Sequence, residues 1–308
     1  MKESLQKHKK LIITLSVILG VFLVILILGL TVFTLKIVEI DFKNNSQIYS
    51  EESQKSIAED SIIKKGTSIF AVNKKTISSV LEKNNPYLKI INIETVFPNK
   101  IVIHCAERES TYAVKANDKK YLICDAEFKV LSISDDYYTG QAILFTGLEN
   151  LIVNSNRVNA GEFLEFSSEQ EVLKKIGTGL LQANKTVAMQ KALIKSIEFT
   201  SGVYYYTAKN QPYLIIEDPN GFKSEIYAID THLAEKFLCM FATWSSVIYN
   251  PSVFFADEIE KGEKDLSETD ETSTKYIKPD YYLDYTLKIL EDRSGNLKIR
   301  LEKNTESS

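Results

Sequence analysis

Few side chains in this sequence of 308 residues could do chemistry. Three histidines are present: His8 in a lysine-rich start, His104 in an alternating apolar stretch and His232 before an apolar run. None sits in H-E-x-x-H or a comparable ligand spacing, so no metal site is expected. G-x-S-x-G and a Gly-rich phosphate loop are both missing. Gly177-Thr178-Gly179 falls inside a helical pattern and makes a poor nucleotide site. Ser61-Ile62-Ile63-Lys64 fits S-x-x-K, the nucleophile motif of penicillin-binding enzymes, and so does Ser4-Leu5-Gln6-Lys7. Neither is followed by the S-D-N and K-T-G elements that complete such a site. The expectation is a protein without catalysis and without a cofactor.

Three cysteines, Cys105, Cys124 and Cys239, are too few for a disulfide framework. Cys105 alternates with Ile101 and Ile103, and Cys239 lies in an apolar helical run. Small buried hydrophobes are the plain reading. A Cys105–Cys124 bridge in an oxidising exterior stays open.

The chain begins with four lysines and one glutamate in ten residues. Residues 11–35 then carry no ionisable side chain. At about 1.5 Å per residue, a helix of that length exceeds the roughly 30 Å hydrocarbon core of a bilayer. A cleaved signal peptide has a shorter apolar region and a small-residue cleavage site, which Phe33-Thr34-Leu35-Lys36 does not offer. The expectation is an uncleaved span with its basic flank in the cytoplasm and the rest of the chain outside. The formal net charge is -4. Because the first 35 residues contribute +3, the remainder is near -7. That acidic balance argues against nucleic acid and against electrostatic adhesion to anionic lipid.

After the span, Val38, Ile40 and Phe42 alternate with Glu39, Asp41 and Lys43 as in a half-buried strand. Ser50 with Glu51 and Glu52 opens a short helix containing Ile57. Gly66 marks a turn. Asn73 can cap a second helix with Ile77, Val80 and Leu81 on one stripe. Asn84-Asn85-Pro86 ends it, and two strands follow around a Pro98-Asn99 turn. The order is strand, helix, helix, strand, strand.

These residues resemble the POTRA domain of the FtsQ/DivIB family of bacterial cell-division proteins. The matching features are Gly66 before Ile69 and Phe70, Pro86 before the next strand, the Phe97-Pro98 turn, the Ile101-x-Ile103 strand and Glu107-Arg108. Tyr121-Leu122-Ile123-Cys124-Asp125 through Val130-Leu131 resembles the family's next element. Three positions depart from the pattern. Asn44-Asn45 stands for Gly-Asn, Phe128 for the Gly that commonly ends the Asp turn, and Ser110 for a Pro. Asn tolerates the left-handed backbone, so the first departure keeps the turn.

Beyond residue 131 the patterns stand alone. Ser168-x-x-Glu171 is a capping box before Val172, Leu173, Ile176, Leu180 and Leu181. Asp218-Pro219-Asn220-Gly221 lies between two apolar strands and signals a hairpin. Thr231 can cap a helix bearing Leu233, Phe237, Leu238, Phe241 and Trp244. Tyr204-Tyr205-Tyr206 reads as strand residues with alternate rings buried. A last hairpin runs through Leu283, Tyr285, Leu287 and Ile289, turns at residues 293–296 and returns through Leu297, Ile299 and Leu301. The whole suggests an antiparallel sheet with helices on one face.

The expected fold class is α+β: one transmembrane helix, a βααββ POTRA domain and a mixed β-sheet domain with helices on one face. The expected divisions are a tail at 1–10, the span at 11–35, the POTRA domain at 36–108, the β domain at 109–256, an acidic flexible loop at 257–279, and the hairpin and tail at 280–308. Gly66 and Pro98 are structural turn residues. The final strand is amphipathic, and Lys298, Ile299, Arg300, Leu301 and Glu302 are the candidate partner-binding residues if it forms a sheet edge. The resemblance implies a scaffold in the cell membrane, enriched at the division septum. It further implies small bitopic coiled-coil partners, FtsL-like and FtsB/DivIC-like, and through them the regulation of septal peptidoglycan synthesis. The alternatives are another exported POTRA scaffold, in sporulation or envelope assembly, and an anchored extracytoplasmic enzyme.

Overall fold

The structure, a computed structural model, describes residues 2–43, 46–59, 63–116, 120–137, 141–155, 157–184, 186–204, 208–273 and 275–304; side chains at 2–12, 28–31, 184 and 187 are outside the description. The turn expected at Asn44-Asn45, Ser61 of the S-x-x-K motif, Tyr205 and Tyr206 also lie outside it. The chain divides into two compact units, 1–108 and 109–308.

The first unit opens with α1 (Lys2–Val32). Its described side chains, 13–27, are exposed on every side. Among the described residues no helix is long and apolar enough to cross a membrane. The helix stops at Val32 rather than continuing to residue 35, because Thr34 bridges Ser68 in an antiparallel pair. Next come β1 (Ile37–Phe42), α2 (Glu51–Glu59), α3 (Lys74–Asn84), β2 (Leu88–Val96) and β3 (Lys100–Glu107). The three strands lie in the order β1-β3-β2, with β1 parallel to β3 and β2 antiparallel to it. Local chemistry explains the helix starts. Ser50 Oγ accepts from the Ser53 amide at 3.2 Å, and Asn73 Oδ1 accepts from the Thr76 amide at 3.2 Å. Ile57, Ile77 and Leu81 pack on Ile40, Leu88, Ile93, Ile101, Ile103 and Cys105 to form the core of this unit.

Glu107-Arg108 has a structural task. The Glu107 carboxylate accepts from the Ser46 hydroxyl at 2.6 Å and the Gln47 amide at 2.9 Å, holding the approach to α2. Arg108, buried, donates to the Leu88 carbonyl at 3.2 Å and to Glu82 of α3 at 2.9 Å. The dipeptide thus ties the end of β3 to both helical segments.

The second unit contains β4 (Tyr112–Lys115), β5 (Tyr121–Cys124), β6 (Val130–Ser134), β7 (Ile143–Thr146), α4 (Gln170–Asn184), α5 (Val187–Leu193), β8 (Ser196–Val203), β9 (Asn210–Glu217), β10 (Lys223–Ile226), α6 (Leu233–Tyr249), α7 (Pro251–Phe254), α8 (Ala256–Glu260), β11 (Tyr285–Glu291) and β12 (Leu297–Lys303). Among the described residues nine strands form one sheet, ordered β12-β11-β10-β9-β8-β7-β4-β5-β6. Leu173, Ile176 and Leu180 of α4 and Leu233, Phe237, Met240 and Trp244 of α6 pack with Ile197, Leu214, Ile216, Ile226, Leu287 and Ile289 in one core.

The sheet is not antiparallel throughout. β4 with β7, β7 with β8, and β10 with β11 pair in parallel. Helices supply the long crossovers that parallel neighbours require: α4 and α5 join β7 to β8, and α6 to α8 lie between β10 and β11. Two expected caps also differ. α4 begins at Gln170, so Glu169, with φ 58°, takes the cap position in place of Ser168. At α6 the cap is His232, with φ 46° and no side-chain capping bond, while the Thr231 hydroxyl donates to the Glu291 carboxylate at 2.6 Å. The acidic segment 257–279, expected as a flexible loop, has some local structure among its described residues. It begins in α8, and Asp265 pairs with Tyr276 across it. The Asp265 and Asp270 carboxylates accept from the amides two residues on, which orders the turns without apolar burial.

Candidate interaction edge

Among the described residues β12 has one neighbour, β11, and is therefore an edge of the large sheet. Register decides what that edge presents. Asp292 N–H donates to Asn296 O at 2.9 Å at one end of the hairpin, and Asn304 N–H to Asp284 O at 2.7 Å at the other. Bonded pairs alternate with non-bonded pairs in an antiparallel ladder. Lys298, Arg300 and Glu302 therefore bond to β11, opposite Leu290, Lys288 and Thr286. The amides and carbonyls of Leu297, Ile299, Leu301 and Lys303 face away from the sheet.

The side chains of the strand divide between two faces. Leu301 is opposite the buried Leu287 and packs against the core, whereas Ile299, opposite buried Ile289, is 47% exposed. On the other face, Lys288 lies 2.7 Å from Glu302 and 3.5 Å from Glu225, so opposite charges cross three strands. Lys298 lies 3.8 Å from Asp292. The five residues expected to bind partners, 298–302, are thus consecutive on the edge strand, and their alternation puts apolar groups on one face and charges on the other.

Two contacts that single-residue patterns did not reveal fix the hairpin. Tyr204 is buried, its hydroxyl donates to the Glu291 carbonyl and it accepts from the Glu291 amide at 2.8 Å. Its ring stacks on Tyr227, which stacks on Tyr213 with centroids 4.6 Å apart. Lys236 of α6 is fully buried and donates to the Ala228 carbonyl at 2.6 Å, the Thr231 carbonyl at 2.8 Å and the Glu291 carboxylate at 2.8 Å. Burial pushes the Lys236 ammonium below its ordinary value, against the pull of Glu291. For Glu291, burial acts upward, but the Lys236 and Thr231 bonds bring its carboxyl below the usual range. A lysine within an apolar helical run gave no sign of its distant carboxylate partner.

Among the described residues no group of three His, Cys, Asp or Glu side chains could hold a metal ion. His104 lies on the first unit's sheet, between Asp41 at 2.9 Å and Glu94 at 3.2 Å. His232 lies 3.6 Å from Glu291. The three cysteines are free thiols; Cys105 and Cys124 are buried, and burial pushes Cys105 up to about 12. Gly177 and Gly179 serve packing: a Cβ on Gly177 would meet the Ala126 carbonyl oxygen at 2.1 Å.

The βααββ unit with a β1-β3-β2 sheet, followed by a larger sheet with β12 at one end, has the architecture of a POTRA-bearing protein. The comparisons agree with this class. Residues 35–108 match the FtsQ-type POTRA domain. The chain is 33% identical over 134 residues to the cell division protein DivIB of Clostridium tetani, covering 44% of this chain and 48% of that protein. It is 30% identical over 181 residues to DivIB of Clostridium botulinum strain Hall, covering 59% of this chain and 66% of the relative. A DivIB from the Loch Maree strain is 35% identical over 118 residues, covering 38% of this chain and 43% of that protein. The matches thus span 43% to 66% of the relatives' own lengths. This chain belongs to the FtsQ/DivIB family.

Proposed function

We propose that the chain is a non-enzymatic cell-division scaffold, anchored in the cell membrane by α1, that binds small bitopic coiled-coil division proteins of the FtsL-like and FtsB/DivIC-like kinds. Through them it regulates septal peptidoglycan synthesis carried out by other enzymes. The cell-division role is supported by the relatives named DivIB. The anchor is supported by α1, whose side chains over 13–27 are exposed all round and apolar apart from Thr14 and Ser16, a pattern that suits lipid better than water. The lysine-rich start then lies inside, and the two units outside.

One observation carries the binding reading: the outward amides and carbonyls of Leu297, Ile299 and Leu301 on the terminal strand of the sheet. A partner strand can pair with them, and main-chain hydrogen bonds then supply affinity. Specificity comes from Ile299 and Leu301 on one face and from Lys298, Arg300 and Glu302 on the other. The test is co-purification of the full chain with the two coiled-coil partners, before and after Ile299→Pro. That substitution removes an outward N–H and leaves every bond to β11 in place. Retention of both partners by this variant would place docking elsewhere. A tagged chain spread evenly around the cell would contradict the septal role.

A further inference from the structure

Three phenylalanines from distant segments meet beside the end of α1. Phe33 follows the helix, Phe70 follows the Gly66 turn and Phe97 lies in the turn between β2 and β3. Their ring centroids are 5.5 Å apart for Phe33–Phe70, 6.2 Å for Phe33–Phe97 and 5.7 Å for Phe70–Phe97. Such a cluster normally closes a core, yet Phe70 is 69% and Phe97 58% exposed. Val32, Ile37 and Val96 around it are exposed as well. Exposed apolar patches of this kind mark a surface that something covers.

Backbone bonds fix the cluster in place. Leu35 N–H donates to Thr67 O at 2.8 Å, Gly66 N–H to Leu35 O at 2.9 Å and Ile69 N–H to Phe33 O at 2.9 Å. Lys36 and Ile37 donate to Asn99 O at 2.9 and 3.3 Å, which ties down the Phe97 turn. The helix therefore passes into the first unit without a free linker.

We infer that this tip is a lipid-contacting surface, with Phe70, Phe97 and Phe33 seated at the acyl–headgroup boundary of the membrane that α1 crosses. The inference rests on the proposed anchor. Residues 11–32 span about 33 Å as a helix, close to the roughly 30 Å of hydrocarbon, so the outer boundary falls at Phe33. Phe70 and Phe97 are at the same level because their rings touch Phe33. Phe lacks a polar tip and favours this boundary when presented by an amphipathic surface. Lys36, Lys64 and Lys65 are exposed on the same segments, where ammonium groups reach lipid phosphates. The acidic charge of the exported chain as a whole does not oppose so local a contact. The consequence is orientational: two exposed rings and the helix set the tilt of the first unit on the membrane.

Full-length protein in phosphatidylethanolamine–phosphatidylglycerol vesicles tests this, with Phe70→Trp and Phe97→Trp made singly. The native Trp244 is buried and gives a constant background. The added emission is blue-shifted and quenched about two-fold or more by lipid brominated close to the headgroup, and tenfold lipid dilution leaves this unchanged. Ile48→Trp, an exposed position beyond the opposite end of β1, about 20 Å away, stays unquenched. Water-like, unquenched emission at 70 and 97 in protein that floats with the vesicles overturns the inference while leaving the anchor intact. Protection that disappears on lipid dilution also overturns it, since a second copy would be the cover. Protein that fails to float defeats the anchor and this surface together.

Discussion

Phe128 stacks on Tyr112, with ring centroids 5.1 Å apart, from a left-handed backbone at φ 61°. The Asp125 carboxylate shapes that turn by accepting from the Glu127 and Lys129 amides, both at 2.9 Å. The FtsQ/DivIB pattern commonly has glycine here. The ring is buried and also touches Phe145 and Phe166, so packing opposes backbone strain. The strain is about 1–2 kcal/mol for a non-glycine residue. Removing a core Phe costs about 3–5 kcal/mol. Packing wins, and Phe128→Gly lowers the stability of the second unit by about 2–3 kcal/mol. Denaturation followed by Trp244 fluorescence measures it. A stabilised variant would show that strain dominates.

Gly66, at φ 92°, presents the opposite case. A Cβ there meets nothing within 4 Å, so its requirement is conformational and not spatial. Gly66→Val costs the first unit about 1–3 kcal/mol through strain, and Gly66→Asn costs less. Hydrogen exchange of the β1 and β3 amides in the full chain reads this directly. Equal exchange in all three proteins would mean that the turn relaxes freely.

His104 makes the first unit weakly pH-dependent. Bonds to Glu94 and Asp41 raise its imidazole above the ordinary 6.5. A raised folded value means that the charged ring favours the folded state. The contribution is complete below about pH 6.5 and is lost as pH rises through the folded value. Slower exchange of β3 amides is expected at pH 6 than at pH 8, after correction for intrinsic rates, and His104→Gln removes the difference. A titration of His104 by NMR with a midpoint below 6.5 would contradict this.

The Lys236–Glu291 pair anchors the last hairpin to α6. Glu291→Ala leaves a fully buried ammonium with only two carbonyl partners and the Thr231 hydroxyl at 3.5 Å. Loss of one partner of a buried pair costs about 3–5 kcal/mol. The variant therefore unfolds at lower denaturant by Trp244 fluorescence, and the β12 edge loses its fixed position. An unchanged midpoint would mean that the carbonyls alone satisfy Lys236.

Much of the first unit was legible because its signals are local. Alternation at Val38, Ile40 and Phe42 marks β1, and Asn73 sits at the start of α3. The larger sheet was less legible. A period of two identifies a strand but neither its neighbour nor its direction, so the expected antiparallel sheet missed the parallel pairing of β10 with β11. Ser168 and Thr231 have capping chemistry, but the left-handed Glu169 and His232 displaced them. Gly177 falls inside the helical pattern that becomes α4, but nothing local shows that the helix meets the Ala126 carbonyl there. Phe33, Phe70 and Phe97 carry no shared spacing; only long-range backbone bonds bring them together. For β12, alternation gave the faces of residues 297–302, and sheet order then gave the edge.

The central claim is that the β12 edge captures a partner strand, and main-chain pairing tests it most directly. The measurement is affinity of the full chain for the FtsB/DivIC-like partner across three variants. Ile299→Pro, with an outward N–H removed, is expected to weaken binding at least tenfold while Trp244 reports an unchanged fold. Arg300→Glu should weaken it by a smaller factor, and removal of residues 297–308 should abolish it while the first unit stays folded. Wild-type affinity in both Ile299→Pro and Arg300→Glu would contradict the claim, because no partner strand could then depend on this edge.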